Sequence, residues 1–217
     1  IIGAGLSGIG AACHLSKKCP DKTFRLLEAR ESLGGTWDLF RYPGIRSDSD
    51  MFTLGYNFKP WCSSQSLADG PAILDYVREA ADENNVHDKI RYHAQVQSIR
   101  WSSEDAIWSV TYLDKQSGEQ KEIVCNFING CTGYYNYEHG YQPEFEGREK
   151  FQGTFIHPQF WPEDLDYSNK RVVVIGSGAT AVTVVPEMAQ TAAHVIMLQR
   201  SPTYMAAIPD EDPVVNF

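Results

Sequence analysis

The pattern of apolar and polar positions predicts two similar α/β segments joined by an irregular stretch. Ile1-Ile2 runs straight into glycine, and a helical pattern continues to about Lys18. Residues 23–28 (TFRLLE) predict a strand. Residues 71–85 predict a helix, because Pro71 suits its first position and Ile73, Tyr76, Val77 and Ala80 share one face. Strand-like runs follow at 90–101, 107–113 and 122–128. Trp108, Val110 and Tyr112 alternate, as do Ile123, Cys125 and Phe127, and the turn at residues 115–118 joins the last two runs. An antiparallel β-meander inserted in an α/β unit is the economical reading. Residues 137–169 show little periodicity, with prolines and acidic clusters, and predict a linker. Beyond it, residues 172–175 are a continuous β-branched run, as expected of a parallel strand buried on both faces. A helix to about Ala189 and a strand at 195–198 complete the pattern.

The glycines give these segments a chemistry. Gly3-Ala4-Gly5-Leu6-Ser7-Gly8 is G-x-G-x-x-G at a strand-to-helix turn. Gly3 permits the tight turn, Gly5 lets a pyrophosphate approach the backbone, and Gly8 lets helix and strand pack closely. The helix that follows aims its first N–H groups at phosphate. Glu28 ends the next strand, where a carboxylate accepts from ribose hydroxyls and repels a 2′-phosphate, favouring FAD or NAD over NADP. The bland alternative for Glu28 is a solvated strand-end charge. The second turn, Gly176-Ser177-Gly178-Ala179-Thr180-Ala181, is G-x-G-x-x-A, and its following strand leads into Arg200-Ser201. A guanidinium suits phosphate by charge and by forked geometry, so this unit is expected to take NADPH unless Arg200 is only a surface charge. Two such units with opposite strand-end charges say more than either alone. Between them, residues 129–135 form a small-residue turn suited to close backbone approach, with Gly133 the favoured position.

Composition narrows the classes. A net charge of −9 argues against a general nucleic-acid binder, which needs a basic face. Five cysteines, without a C-x-x-C pair, read as thiols in a reducing compartment, and a cytoplasmic location follows as the expectation. No apolar run is long enough for a transmembrane segment. The opening at Ile1 leaves almost no strand before the first turn, and the chain stops shortly after the second motif begins. It therefore reads as a piece of a longer polypeptide, expected to turn over little on its own.

Residues 151–162, FQGTFIHPQFWP, fit F-x-G-x-x-x-H-x-x-x-W-P just before the second glycine turn. This resembles the fingerprint of type I Baeyer–Villiger monooxygenases, within the flavin-containing monooxygenase superfamily. Residues 34–50, GGTWDLFRYPGIRSDSD, are similar to the same family's GGTW…RYPG…R-x-D region. GCTGYYNY and HPQFWPEDLDY resemble most closely the ethionamide-activating branch. The resemblance covers essentially the whole chain. It implies two Rossmann-like dinucleotide-binding domains. The first is a three-layer ββα FAD-binding domain with the inserted meander (1–136). A linker carrying the fingerprint (137–168) then leads to the first part of an NADPH-binding domain (169–217).

The resemblance also implies the reaction. NADPH reduces FAD, O2 forms a C4a-peroxyflavin, and one oxygen atom is inserted into a ketone to give an ester or lactone. Branch members resemble one another in oxidising sulfur in thioamides and sulfides as well. Carried over residue by residue, Gly3, Gly5, Ser7, Gly8, Glu28, Gly35, Thr36, Trp37, Asp38, Leu39 and Gly133 would line FAD, with the backbone of Val96 at adenine. By periodicity alone Val96 is simply core. Asp48 would stand where flavin, nicotinamide and a downstream catalytic arginine meet, its alternative being an ordinary loop aspartate. Arg46 and Ser47 would touch the nicotinamide nucleotide, and Gly176, Ser177, Gly178, Ala179, Thr180, Ala181, Arg200 and Ser201 would hold NADPH. His157 is read as a hinge residue, with direct proton transfer as the alternative, and Trp161 as an anchor of the linker. Competing readings are N- or S-oxygenation as the main activity, a disulfide reductase and a non-catalytic dinucleotide sensor. The reductase would need a redox cysteine pair, and Cys13 and Cys19 do not have that arrangement.

Overall fold

The computed structural model describes residues 1–207, 209 and 211. The end of the expected 169–217 segment, from residue 212 on, lies outside the described residues. Contacts divide the chain into one unit of Ile1–Asp38 with Ile73–Tyr134, and another of Leu39–Ala72 with Tyr135–Phe217. Sequence reasoning kept 39–72 with the first segment; by contacts this excursion groups with the second.

The first unit is built on four parallel rungs. Ile2 bridges Leu27 on one side and Gly130 on the other. Strand β1 (Leu26–Leu27) pairs in turn with β2 (Ile90–Arg91), in parallel register. The spatial order is thus third, second, first, fourth, the order of a dinucleotide-binding sheet, with its switch point between Ile2 and Gly130. Helix α1 (Leu6–Lys18) connects the first rung to the second. It buries Ile9, Ala12 and Cys13 completely. The Cys13 thiol donates to the Ala80 carbonyl at 3.4 Å, on helix α4 (Gly70–Glu83). Ile73 and Val77 of α4 are 0 % exposed, and burying such side chains stabilises by roughly 1.5–3 kcal/mol each.

The meander runs β3 (Ala94–Ser102), β4 (Ile107–Asp114) and β5 (Gln120–Cys125), all antiparallel. Its inner face packs Ala94, Val110 and Tyr112 on Leu27. Gly118 turns at φ +72°, as the 115–118 turn required. The strand expected over 90–101 is two strands. His93 adopts φ 56° and breaks it, so the chain leaves the parallel sheet at Arg91 and enters the meander at Ala94. Both pieces are extended and half apolar, so the pattern carries no mark of the change of partner. The strand expected over 23–28 is ladder-paired only at Leu26–Leu27.

In the second unit, β6 (Arg171–Ile175) and β7 (His194–Leu198) pair in parallel through helix α5 (Ala179–Ala189). The expectation that 172–175 is buried on both faces fails. Val173, Ile175, Ile196 and Leu198 are 54, 52, 40 and 55 % exposed, whereas Val172, Val174, Val195 and Met197 on the alternate face are half-buried. A β-branched run fits a two-sided cover, but among the described residues α5 supplies one layer. The short helix α2 (Thr36–Leu39) closes the first stretch of the first unit, and residues 39–72 add the short helix α3 (Met51–Leu54). Asp50 caps α3, its carboxylate accepting from the Thr53 hydroxyl at 2.8 Å and from the Thr53 N–H at 2.8 Å, and those bonds hold its carboxyl below the usual range.

Candidate functional site

Each unit carries one glycine turn, and the two are shaped by different constraints. In the first, Gly3 adopts φ +100°, and a Cβ there would overlap the Cys131 carbonyl, with its carbon at 2.9 Å. A Cβ on Gly8 would collide with the Gly3 carbonyl, whose carbon lies at 3.0 Å and its oxygen nearer still. Both glycines are therefore packing requirements between α1 and the first and fourth rungs. Gly5 is different, because a Cβ would meet only Gly35, with its Cα at 3.5 Å. The Gly34 N–H donates to the Ala4 carbonyl at 2.9 Å, so the Gly34-Gly35 turn lies against the first turn. Thr36 and Trp37 begin α2 there, both half-buried, and Leu39 ends it.

Among the described residues, no side chain caps α1 or α5, and neither helix has an acidic residue in its first turn. Ser7 is exposed at the start of α1. An anion at either helix end meets no carboxylate from that helix's own first turn, so both ends suit a phosphate. Glu28 is 6 % exposed. Its carboxylate accepts from the Ala4 N–H at 2.8 Å and the Arg30 N–H at 3.0 Å. Two of about four lone-pair sites thus hold the turn, a role that strand-end position alone did not reveal. Burial raises the nearby Tyr92 phenol above its ordinary value, and the Glu28 charge adds to this.

Asp38 is 5 % exposed and clamped. Arg30 donates to one oxygen at 2.7 Å, Ser32 donates to the same oxygen, and Arg78 reaches the other at 3.5 Å. Arg30 also reaches the Gly35 carbonyl at 3.4 Å, which ties this ion cluster to the glycine turn. Sequence reasoning named Asp38 but missed Arg30, eight positions before it in an irregular loop, and Arg78, whose pairing across forty positions leaves no local trace. The small-residue turn at 129–135 reaches the first glycine turn through Cys131, whose N–H donates to the Ile2 carbonyl at 2.8 Å and whose carbonyl stands where a Cβ on Gly3 would lie. Gly133 has φ +70° with nothing near its missing Cβ. Burial raises the Cys131 thiol pKa. All five cysteines are free. Val96 packs partly buried against the Leu27 cluster, beside a bulge between Val96 and Ser98.

In the second unit, Gly176 turns at φ +127° and its N–H donates to the Leu198 carbonyl at 2.8 Å. Gly178 is the N-cap of α5, and among the described residues a Cβ on it would meet nothing within 4 Å. The Ser177 hydroxyl donates to the Ser201 carbonyl at 3.1 Å, bringing the strand end with exposed Arg200 beside the turn. Ala179, Thr180 and Ala181 form the first turn of α5. Ser47 is buried at 5 %, with its hydroxyl donating to the Ser49 carbonyl at 2.7 Å, whereas Arg46 and Asp48 on either side are exposed.

His157 takes part in a fold contact. Its Nδ1 accepts from the Gln159 N–H at 3.2 Å, and a Cβ on Gly140 would lie 2.5 Å from both ring nitrogens. Buried Gln159 donates to the Asn136 carbonyl at 2.6 Å, stitching the 151–162 motif to the 136–140 segment. Trp161 meets Tyr167 edge-on at 6.1 Å. Among the described residues, no helix is long and apolar enough to cross a membrane.

Comparison with known proteins fits this geometry. A family model described as flavin-binding monooxygenase-like matches residues 66–212, and one described as an NAD(P)-binding Rossmann-like domain matches residues 1–76. The chain is 56 % identical over 217 residues to FAD-containing monooxygenase EthA of Mycolicibacterium smegmatis, covering 100 % of this chain and 44 % of that protein. Oxidized steroid monooxygenase bound to NADP superposes with a TM-score of 0.79 at 32 % identity, over 94 % of this chain and 38 % of that one. OTEMO in complex with FAD and NADP gives a TM-score of 0.77 at 34 % identity, over 93 % and 38 % respectively. The chain thus spans less than half the length of the relatives it matches.

Proposed function

The chain belongs to the flavin-binding monooxygenase-like family, and from that premise we propose that its complete polypeptide is an FAD- and NADPH-dependent monooxygenase acting on ketones. The observation that carries the reading is the pairing of two uncapped glycine turns with opposite strand-end charges, buried Glu28 at one and exposed Arg200 at the other. When bound, NADPH supplies hydride and FAD supplies the ring that activates O2. The chain's own part is to bind and orient. The α1 terminus and Gly5 would hold the FAD pyrophosphate, and the remaining lone pairs of Glu28 would take ribose hydroxyls. Ser177, Gly178 and the first turn of α5 would hold the NADPH pyrophosphate, with Arg200 and Ser201 at the 2′-phosphate. Asp48 would contribute the charge that orients a catalytic arginine placed by the family pattern downstream of the second turn. The His157–Gly140 packing supports a hinge role for the 151–162 motif rather than proton transfer.

S-oxygenation is the second reading, supported by the likeness of GCTGYYNY and HPQFWPEDLDY to the ethionamide-activating branch. The deciding experiment gives the complete polypeptide FAD, NADPH and O2 with a ketone and a sulfide at matched concentrations. Ester or lactone as the main product supports ketone oxidation, and sulfoxide as the main product supports the second reading. NADPH oxidation that yields only hydrogen peroxide with both substrates would count against either.

A further inference from the structure

Within the first unit, the bonds of Arg30 close a circuit through the first glycine turn. The Ala4 N–H donates to one Glu28 oxygen at 2.8 Å, and the Arg30 N–H donates to the other at 3.0 Å. The guanidinium of the same Arg30 reaches the Gly35 carbonyl at 3.4 Å. The Gly34 N–H then returns to the Ala4 carbonyl at 2.9 Å. Gly5, next to Ala4, stands against this circuit: a Cβ on it would lie 3.5 Å from the Gly35 Cα and 3.8 Å from the Gly35 nitrogen. The other arm of the Arg30 fork pairs with Asp38 at 2.7 Å. Ser32 donates to the same Asp38 oxygen, and Arg78 reaches the second one at 3.5 Å. Of the two guanidinium groups on Asp38, Arg30 is the nearer and the more buried, with a side chain 18 % exposed against 47 % for Arg78. Glu28 and Asp38 are both buried carboxylates, so the surroundings of the turn carry negative charge that a guanidinium must offset before an anion can bind.

We propose that Arg30 is a positioning residue of the FAD site: its forked guanidinium ties Asp38 to the Gly34-Gly35 turn, fixes the gap between that turn and Gly5, and offsets the Asp38 charge beside the pyrophosphate. The inference rests on the first glycine turn being the FAD pyrophosphate site. The arm on Gly35 sets the gap, and the arm on Asp38 holds the fork in place while neutralising a carboxylate that would repel phosphate. Phosphate oxygens must come to about 2.9 Å from backbone amides, so a turn that drifts toward or away from Gly5 spoils that approach. Arg30 acts through Gly35 and Asp38, without having to touch the flavin nucleotide itself.

The test uses the complete polypeptide and three variants, Arg30→Gln, Arg30→Lys and the double Arg30→Gln/Asp38→Asn. Each is stripped of flavin and measured for the thermal midpoint of the FAD-free form and for FAD affinity of the folded protein on reconstitution. Losing the charged fork predicts FAD affinity weaker by about 10- to 100-fold in Arg30→Gln. The double variant binds FAD more tightly than Arg30→Gln, because Asp38→Asn removes the carboxylate left without its nearest cation. Arg30→Lys keeps the charge but, as a single ammonium, serves Asp38 without the fixed second arm, so its FAD affinity falls by about 3- to 10-fold. An affinity loss below about 3-fold in Arg30→Gln overturns the proposal, and so does a double variant that binds no tighter than Arg30→Gln. A lowered FAD-free midpoint with wild-type FAD affinity also overturns it, since the pair would then support only the fold. If Arg30→Gln does not fold, Arg30→Lys decides alone, with wild-type FAD affinity overturning the proposal. A wild-type polypeptide that takes up no FAD would instead overturn the reading of the first turn itself.

Discussion

Replacing Gly178 with alanine separates a glycine kept for a ligand from one kept for packing. Gly178 stands at φ −77°, ψ −176°, extended backbone that alanine adopts without strain. A Cβ there meets nothing within 4 Å among the described residues. Two small terms remain in the ligand-free protein. Alanine is a poorer N-cap than glycine, at a cost of roughly 0.5–1 kcal/mol, and it restricts the unfolded chain, a gain of about 0.4–1 kcal/mol. They nearly cancel, so the thermal midpoint should stay within about 2–4 °C of wild type. A bound pyrophosphate changes the balance. Its oxygens must come to about 2.9 Å from the amides, and a methyl group in that space forfeits one charge-assisted hydrogen bond, worth about 1.5–3 kcal/mol. At 1.4 kcal/mol per decade, this is about a 10- to 100-fold loss of NADPH affinity. The assay is anaerobic flavin reduction against NADPH concentration, beside thermal denaturation and flavin content of the same preparation. Wild-type NADPH affinity in Gly178→Ala would refute the assignment of this turn as a phosphate cradle.

Other outcomes follow from the same geometry. Gly8→Ala gains about 1 kcal/mol of helix propensity but forces α1 from the Gly3 carbonyl, an overpacking that costs typically 1–3 kcal/mol or more. Its midpoint should fall and flavin content drop, and a raised midpoint would contradict the packing argument. Arg200→Gln should lower kcat/KM for NADPH by about 10- to 100-fold while leaving NADH nearly unchanged, and an equal loss for both nucleotides would contradict the 2′-phosphate role. Burial pushes the Cys13 thiol up to about 11 from its ordinary 9.0. The folded state therefore holds this proton more tightly than the unfolded state, and the associated stability is complete below pH 9 and lost as pH rises toward 11. Thermal midpoints taken across that window should fall less steeply in Cys13→Ala than in wild type; equal slopes would assign the alkaline loss to other groups.

Local features were readable from the residues alone. Gly3 and Gly8 sit where the spacing demanded, because a helix starting one turn after a strand must press against that strand's carbonyls. The meander followed from alternation, and Gly118 from its turn. What escaped the sequence was tertiary. His93 ends a strand only because the chain changes sheets there. The open face of Val173 and Ile175 depends on what covers the sheet, which a β-branched run does not encode. Glu28 was legible as a carboxylate at a strand end, but its bond to the Ala4 amide requires the folded turn. Arg78 on Asp38 and Gln159 on the Asn136 carbonyl join residues far apart in the chain, and no single-segment pattern marks such pairs.

The central claim is that an acid-ended glycine turn holds a flavin and a guanidinium-ended one holds the nucleotide that reduces it. Anaerobic titration of the complete polypeptide with NADPH tests this most directly. The account predicts a yellow protein whose flavin absorbance bleaches with about one equivalent of NADPH per flavin. A colourless protein that takes up no FAD, or a flavin that stays oxidised under excess NADPH, would contradict it.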